Sequence, residues 1–165
     1  MSTPGHDELS RLAADAVAAL KSRGLTVATA EATTGGLIGH LIASVPGSSA
    51  VFRGGVAPYS NAMKRAISVP AEVLDKYGAV SREAAEALAA AVREWAGADI
   101  GLAETGIAGP TGGTEERPVG TFWIAVAIGP DGAPVQHFVF GGDRVANQKS
   151  CAAAAVRMLI TALAG

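Results

Sequence analysis

Short apolar, strand-like segments alternate along this chain with amphipathic helical segments, and this alternation constrains the fold more than any other feature. The pattern predicts five strands, over residues 25–31, 51–60, 99–105, 119–128 and 134–140. It also predicts helices over residues 7–22, 35–45, 61–67, 70–78, 82–97 and 144–164. The turn sequence Gly-Pro-Asp-Gly-Ala joins the last two strands, so we expect a hairpin there. The whole pattern predicts an α/β fold: a single domain over residues 1–165, built as a three-layer α/β/α sandwich with a mixed sheet.

The composition excludes several classes of protein. Hydrophobic residues make up 49% of the 165 residues and charged residues 17%, which argues against disorder. The net charge is −2 and there is no run of Lys or Arg, so no nucleic acid is expected as a partner. No apolar segment is long and glycine-poor enough to span a bilayer, so no membrane partner is expected. A polar N-terminal segment and a single cysteine predict a cytoplasmic protein.

Three polar, glycine-rich segments follow predicted strands, where ligands of open α/β sheets usually bind. The first, Glu-Ala-Thr-Thr-Gly-Gly, occupies residues 31–36 and opens a predicted helix. Its backbone N–H groups and threonine hydroxyls can hold a phosphate or a carboxylate. Alternatively, Thr33 or Thr34 only caps the helix, and Gly35 and Gly36 only allow tight packing.

The second segment, Tyr-Ser-Asn-Ala-Met-Lys, places Tyr59 and Lys64 five residues apart. If a helix begins near Asn61, the Lys64 side chain can fold back toward the end of the preceding strand. A lysine beside a tyrosine in a partly desolvated cleft can act as a base, because desolvation lowers its pKa. The alternative is that Lys64 is a surface lysine and that Ser60 or Asn61 only caps the helix.

The third segment, residues 105–120, is the strongest local signal for a functional loop. It is rich in glycines and in threonine donors: Gly106, Gly109, Gly112, Gly113, Thr105, Thr111 and Thr114. Long ordered loops of this kind tend to be functional. No Gly-Lys-Ser/Thr sequence follows, so it is not a Walker A loop. The three histidines lack the spacing of metal ligands, and no metal is expected.

Taken together, these segments resemble the C-terminal domain of the competence/damage-inducible protein CinA, the nicotinamide-nucleotide amidohydrolase family. The resemblance runs from Leu25 to the last predicted helix. It rests on the order and spacing of seven short stretches, at residues 34–36, 46–49, 59–64, 77–81, 105–114, 117–121 and 142–144.

The resemblance implies a cytoplasmic amidase of pyridine nucleotide salvage, within NAD metabolism. Members hydrolyse the carboxamide of nicotinamide mononucleotide to nicotinic acid mononucleotide and ammonia, and they use no metal or cofactor. The family's first motif reads Glu-Ser-Cys-Thr-Gly-Gly, with its serine as the proposed nucleophile, assisted by the tyrosine and lysine of the second segment. By the same resemblance we expect a homodimer or larger homo-oligomer.

This sequence departs from the family where the chemistry matters most. Ala32 stands in the place of the serine and Thr33 in that of the cysteine. Glu104 stands where a neutral residue is usual, and Asn147 and Gln148 replace an aliphatic residue and an arginine.

Three interpretations follow from the missing serine. Thr33 supplies the nucleophile, although its hydroxyl is displaced by one residue and needs a base. Water replaces the serine, with Glu31 or Glu104 as general base. Alternatively, the domain binds a nucleotide-like metabolite without turnover. The sequence leaves all three open.

The candidate site follows from these arguments. The candidate catalytic residues are Tyr59, Lys64, Thr33 and Glu104. The candidate substrate-binding residues are Glu31, Ala32, Thr34, Gly35, Gly36, Ser60, Asn61, Thr105, Gly106, Gly109, Gly112, Gly113, Arg117 and Arg144. The expected ligand is a small nucleotide, with no cofactor.

Overall fold

The computed structural model describes residues 3–129 and 133–165. It contains six α-helices: α1 (His6–Arg23), α2 (Leu37–Ala43), α3 (Asn61–Ala66), α4 (Ala71–Tyr77), α5 (Arg82–Ala96) and α6 (Arg144–Ala164). Its five strands are β1 (Val27–Glu31), β2 (Phe52–Val56), β3 (Ile100–Gly106), β4 (Thr121–Ile128) and β5 (Val135–Val139). A short 3-10 turn, Ser48–Ala50, precedes β2.

The strands form one mixed sheet in the order β2-β1-β3-β4-β5. Strand β1 pairs in parallel with both β2 and β3, whereas β3–β4 and β4–β5 pair antiparallel. The predicted hairpin pairing of the last two strands is therefore confirmed. Part of its predicted turn, residues 130–132, lies outside the described residues.

Helices cover both faces of this sheet, which confirms the predicted three-layer architecture. On one face, α1, α2 and α6 pack over the larger side chains of the sheet, such as Ile100, Leu102 and Phe122. On the other face, α5 packs over alanines of β1, β3 and β4. A Cβ built on Gly101 would lie 1.9 Å from the Ala89 carbonyl oxygen, so this helix approaches β3 to backbone contact. None of the described helices is long and apolar enough to cross a membrane.

Helix and strand ends explain where the observed elements differ from the predicted ones. Helix α2 begins at Leu37, two residues later than predicted, because Gly35 and Gly36 adopt φ values of 68° and 107°. These left-handed conformations form the turn after β1 and cannot belong to a right-handed helix. Strand β2 ends at Val56 rather than at residue 60. Pro58, two residues later, has no N–H to donate to a strand ladder.

Candidate functional site

A cavity of about 280 Å³ opens at the carboxyl ends of β1 and β3. Its walls come from the turn after β1, the segment that leads into α3, the α4–α5 connection, the loop after β3 and the first turn of α6. Larger cavities of about 370, 530 and 910 Å³ lie elsewhere. Among the described residues, no member of the polar segments 31–36, 59–64 and 105–120 lines any of these three, so the 280 Å³ cavity is the candidate site.

The structure brings most of the predicted site residues to this cavity. Ten line it: Ala32, Thr33, Tyr59, Asn61, Lys64, Thr105, Gly106, Gly109, Gly112 and Arg144. Eight others do not line it: Glu31, Thr34, Gly35, Gly36, Ser60, Glu104, Gly113 and Arg117. Sequence reasoning missed Ala79, Val80, Ile107 and Ala108 as cavity residues. The Tyr-Gly-Ala-Val-Ser stretch was the available signal for the first two.

In the turn after β1, Ala32 lines the cavity and the neighbouring Thr33 is held by several hydrogen bonds. Ala32 continues the strand ladder, since its N–H donates to the Glu104 carbonyl oxygen at 3.2 Å. The Thr33 hydroxyl accepts the N–H of Gly106 at 2.8 Å and lies 3.2 Å from the Gly106 carbonyl oxygen, to which it donates. Both functions of this hydroxyl are thus occupied by the backbone of β3, and it does not act as a free nucleophile in this arrangement.

Glu31 is a buried structural carboxylate that organises the same turn. It accepts backbone N–H groups from Gly36, Ile38 and Gly39 at 2.7–3.0 Å. These are N–H groups at the start of α2, which have no partner within the helix. A carboxylate there also interacts favourably with the positive end of the helix dipole. Glu31 therefore fixes the start of α2 instead of facing the cavity.

Glu104 lies on the same side of the sheet as Glu31, and the two are register partners on neighbouring strands. Its Oε1 accepts the N–H groups of Thr33 and Thr34 at 2.7 and 2.8 Å. Its Oε2 has no hydrogen-bond partner among the described residues. Burial raises the pKa of Glu104, the bonds from Thr34 and Thr33 oppose that change, and the charge of Glu31 adds to it. This carboxyl group supports the turn from behind the cavity.

Lys64 is the buried cation of the cavity. Its side chain lines the cavity and is only 3% exposed, and its Nζ donates one long bond of 3.4 Å to the Tyr59 carbonyl oxygen. Burial lowers the pKa of Lys64, and the attraction of Glu104 partly opposes this. Ser60 caps the helix that carries Lys64, because its Oγ accepts the Met63 N–H at 3.2 Å. The interpretation of a surface lysine is therefore wrong, whereas that of a capping serine is confirmed.

Arg144 connects two sides of the cavity mouth. Its Nη2 donates to the Tyr59 hydroxyl at 2.6 Å and its Nη1 to the Gly109 carbonyl oxygen at 2.7 Å. Tyr59 remains 60% exposed, so its ring forms an open part of the rim. The loop is also fastened to the α4–α5 connection, since Thr105 donates to Ala79 O at 2.6 Å and Arg117 to Val80 O at 3.2 Å.

Two of the loop glycines, Gly109 and Gly113, allow close packing against Val119. A Cβ on Gly109 would lie 2.4 Å from a methyl carbon of Val119, and one on Gly113 would lie 2.7 Å from the Val119 nitrogen. Within the described ranges, no cluster of three His, Cys, Asp or Glu residues has the arrangement of a metal site.

Comparison with known proteins identifies the family. The model of the CinA C-terminal domain matches residues 9–163. The chain belongs to this family. A CinA-like protein of Anaeromyxobacter sp. (strain Fw109-5) is 49% identical over 148 residues, which cover 89% of this chain and 36% of the relative. One from Cytophaga hutchinsonii is 56% identical over 109 residues, which cover 66% of this chain and 26% of the relative. The chain thus spans about a third of the length of the curated CinA-like relatives it matches.

Solved structures of the CinA family share the fold over nearly the whole chain. A competence-damaged protein (CinA) superfamily member from Klebsiella pneumoniae 700603 superposes with a TM-score of 0.91 at 32% identity, covering 94% of this chain and 98% of the other. The competence/damage-inducible protein CihA from Agrobacterium tumefaciens gives 0.89 at 35% identity, covering 100% and 99%. The α/β fold is therefore that of the CinA family.

Proposed function

We propose that the cavity binds a pyridine nucleotide such as nicotinamide mononucleotide, and that this CinA-family chain acts as a binding protein. One observation carries the proposal: two cations, Lys64 and Arg144, line the cavity, whereas no carboxylate lines it among the described residues. A phosphate monoester needs such donors, and charge-assisted hydrogen bonds are the strong ones. The exposed Tyr59 ring at the rim offers a face for the cationic pyridinium ring.

We propose binding without turnover because the groups around Ala32 offer no free nucleophile. The Ala32 methyl cannot attack a carboxamide, and the Thr33 hydroxyl is engaged by Gly106. Glu104 directs its Oε1 to the N–H groups of Thr33 and Thr34, behind the cavity wall. A carboxylate that activates water has to lie within hydrogen-bond reach of that water. These contacts favour binding over catalysis by either route.

Amide hydrolysis with Lys64 as the base is the second candidate, and the lowered pKa of Lys64 supports it. A neutral Lys64 amine would take a proton from water while the water oxygen attacks the carboxamide carbon. The Lys64 ammonium then returns this proton to the amide nitrogen, the carbon–nitrogen bond breaks, and ammonia leaves the carboxylic acid product. Desolvated lysines are known to serve as such bases.

Calorimetry and an ammonia assay test both candidates. We expect nicotinamide mononucleotide to bind, nicotinamide riboside to bind more weakly because it lacks the phosphate, and no ammonia to appear. Lys64→Met should weaken nucleotide binding by about 5- to 150-fold, the equivalent of roughly 1–3 kcal/mol. The exposed Lys76, changed to Met, is the matched control and should leave affinity unchanged.

The outcomes separate the candidates. Ammonia release by the wild-type protein, lost in Lys64→Met, would favour hydrolysis. Equal affinity for the mononucleotide and the riboside would contradict the proposed phosphate recognition. No binding of either compound would overturn the proposed function.

A further inference from the structure

Three residues near the start of α6 each hold a different wall of the cavity. Arg144 bonds the Tyr59 hydroxyl and Gly109 O, Asn147 donates to Ala108 O at 3.1 Å, and Gln148 donates to Thr33 O at 2.9 Å. Residues at positions i, i+3 and i+4 share one face of a helix. One helical face therefore spans the site from the rim to the turn after β1.

Asn147 and Gln148 differ from Arg144, because neither lines the cavity. Asn147 is fully buried, and its side chain also bonds both the N–H and the carbonyl of Gly142 at 2.9 Å. It thereby locks the start of α6 to the loop after β3. Gln148 is the next residue and reaches across to Thr33. The two consecutive amides thus bond two different segments of the cavity wall, the loop after β3 and the turn after β1.

The hydrogen bond from Gln148 to the Thr33 carbonyl adds to the bonds that hold the turn carrying Ala32. The N–H of Thr33 donates to Glu104, its hydroxyl is engaged by Gly106, and its carbonyl accepts from Gln148. Every polar group of Thr33 is therefore bonded. Without the Gln148 donor, the Thr33 carbonyl would lose its partner at a position that is 6% exposed, and an unpaired buried acceptor is costly.

We propose that Asn147 and Gln148 are positioning residues, which set the distance between the 32–34 turn and the loop after β3 and so control ligand affinity without touching the ligand. Cavity walls on separate loops have to be held within fractions of an ångström to keep a ligand's partners aligned. Helix α6 is a long, rigid element that contacts both loops. The ligand part of this proposal rests on the proposed function, whereas the part about the turn does not.

Gln148 offers the sharper test, because Asn147 is fully buried and makes three hydrogen bonds. Gln148→Glu keeps the size of the side chain and removes the amide donor, whereas Gln148→Arg restores N–H donors. Gln148→Met removes the donor without adding charge, and it replaces the glutamate variant in the experiment if that variant fails to fold. Gln136→Glu, on the exposed part of β5, is the matched control for the added charge.

Hydrogen–deuterium exchange of the peptide over residues 28–41 is the first readout. We expect faster exchange in Gln148→Glu and Gln148→Met, and wild-type exchange in Gln148→Arg and Gln136→Glu. Calorimetry with nicotinamide mononucleotide is the second readout, with an affinity about tenfold weaker in the first two variants, the scale of one lost hydrogen bond.

The two readouts separate failure of this inference from failure of the proposed function. Unchanged exchange over residues 28–41 in Gln148→Glu, or an equal loss of protection in Gln148→Arg, would overturn the positioning role. Faster exchange with unchanged affinity would overturn the control of affinity. A wild-type protein that binds no pyridine nucleotide refutes the proposed function, while the exchange comparison still decides the role of Gln148.

Discussion

Glu31 and Glu104, register partners on adjacent parallel strands, both contact the hydroxyl group of Thr34. The distances from Thr34 Oγ1 are 2.7 Å to Glu31 Oε2 and 2.9 Å to Glu104 Oε1. One hydroxyl hydrogen cannot fully serve two ionised acceptors, so this arrangement favours a proton on one carboxyl group. Burial raises the pKa of Glu104, whereas Glu31 is surrounded by backbone N–H donors. Glu104 therefore keeps its proton to a higher pH than an exposed glutamate does.

This pair predicts that stability depends on pH through Glu104. The pKa of Glu104 is raised above its ordinary value of 4.5, so the folded state holds this proton more tightly than the unfolded chain. Its contribution is complete below pH 4.5 and is lost as pH rises toward the raised folded-state pKa. A difference of one unit between the pKa values of the folded and the unfolded state corresponds to about 1.4 kcal/mol in the free energy of unfolding.

Urea unfolding between pH 4 and pH 8 measures this dependence. The free energy of unfolding of Glu104→Gln should decline less with rising pH than that of the wild type, because the amide keeps an acceptor and does not titrate. Glu115→Gln, on the exposed loop, should follow the wild type. Parallel curves for Glu104→Gln and the wild type would show that Glu104 does not titrate in this range.

Nucleotide affinity should fall at alkaline pH because of Lys64. Its pKa lies below the ordinary 10.5, so its ammonium becomes neutral at a lower pH than an exposed lysine. A neutral amine no longer neutralises the negative charge of a phosphate. Calorimetry from pH 7 to pH 10 should show weakening affinity in the wild type and a flatter profile in Lys64→Met. Identical pH profiles of affinity in the two proteins would show that Lys64 does not bind the phosphate.

Strand order explains why much of the site was predictable. The polar segments after β1 and β3 had to meet, because the two strands are parallel neighbours and their carboxyl ends share one edge of the sheet. Lys64 reaches the same edge because Ser60 caps its helix beside it. The elements and their polar loops were predicted from the sequence, whereas the adjacency of β1 and β3 comes from the structure.

Side-chain direction and distant partners could not be predicted in the same way. The face of Glu104 was open, since a shift of one residue reverses every side chain of a strand. The engagement of Thr33 by Gly106 depends on contacts 73 residues apart, and that of Gln148 with Thr33 on contacts 115 residues apart. Ala79 and Val80 reach the cavity from a helix connection, and their apolar side chains offer no chemistry that would mark them as site residues apart from the family resemblance of residues 77–81.

Gly106, at the end of β3, lies where the packing leaves no space for a side chain. A Cβ built there would lie 2.4 Å from Phe122 Cδ1 and 2.6 Å from the Thr121 carbonyl oxygen. Phe122 is fully buried and cannot move aside freely. Gly106→Ala should therefore lower the free energy of unfolding by about 1–3 kcal/mol, the usual range for overpacking. Gly141→Ala meets nothing within 4 Å and should change the free energy of unfolding by less than about 0.5 kcal/mol, as most surface substitutions do. Equal unfolding midpoints for the two variants would contradict this packing argument.

Ala32→Ser tests whether one hydroxyl separates this chain from an amidase. Position 32 lines the cavity together with Lys64 and Tyr59, and its side chain is 6% exposed. A serine there would place a hydroxyl in the cavity with a lysine of lowered pKa available as base. We expect Ala32→Ser to release ammonia from nicotinamide mononucleotide faster than the wild type.

Two further variants show whether such a gain comes from position 32. Ala79→Ser adds a hydroxyl to another wall of the same cavity and should release no more ammonia than the wild type. Adding Lys64→Met to Ala32→Ser should remove the gain, because loss of a general base typically costs about 10²–10⁴-fold in rate. If Ala32→Ser folds, binds the nucleotide and releases no ammonia, the hydroxyl is not the only missing part. Glu104 and Gln148 would then be the next residues to substitute. Both bond the backbone of Thr33 and so fix the direction of the side chain at the adjacent position 32.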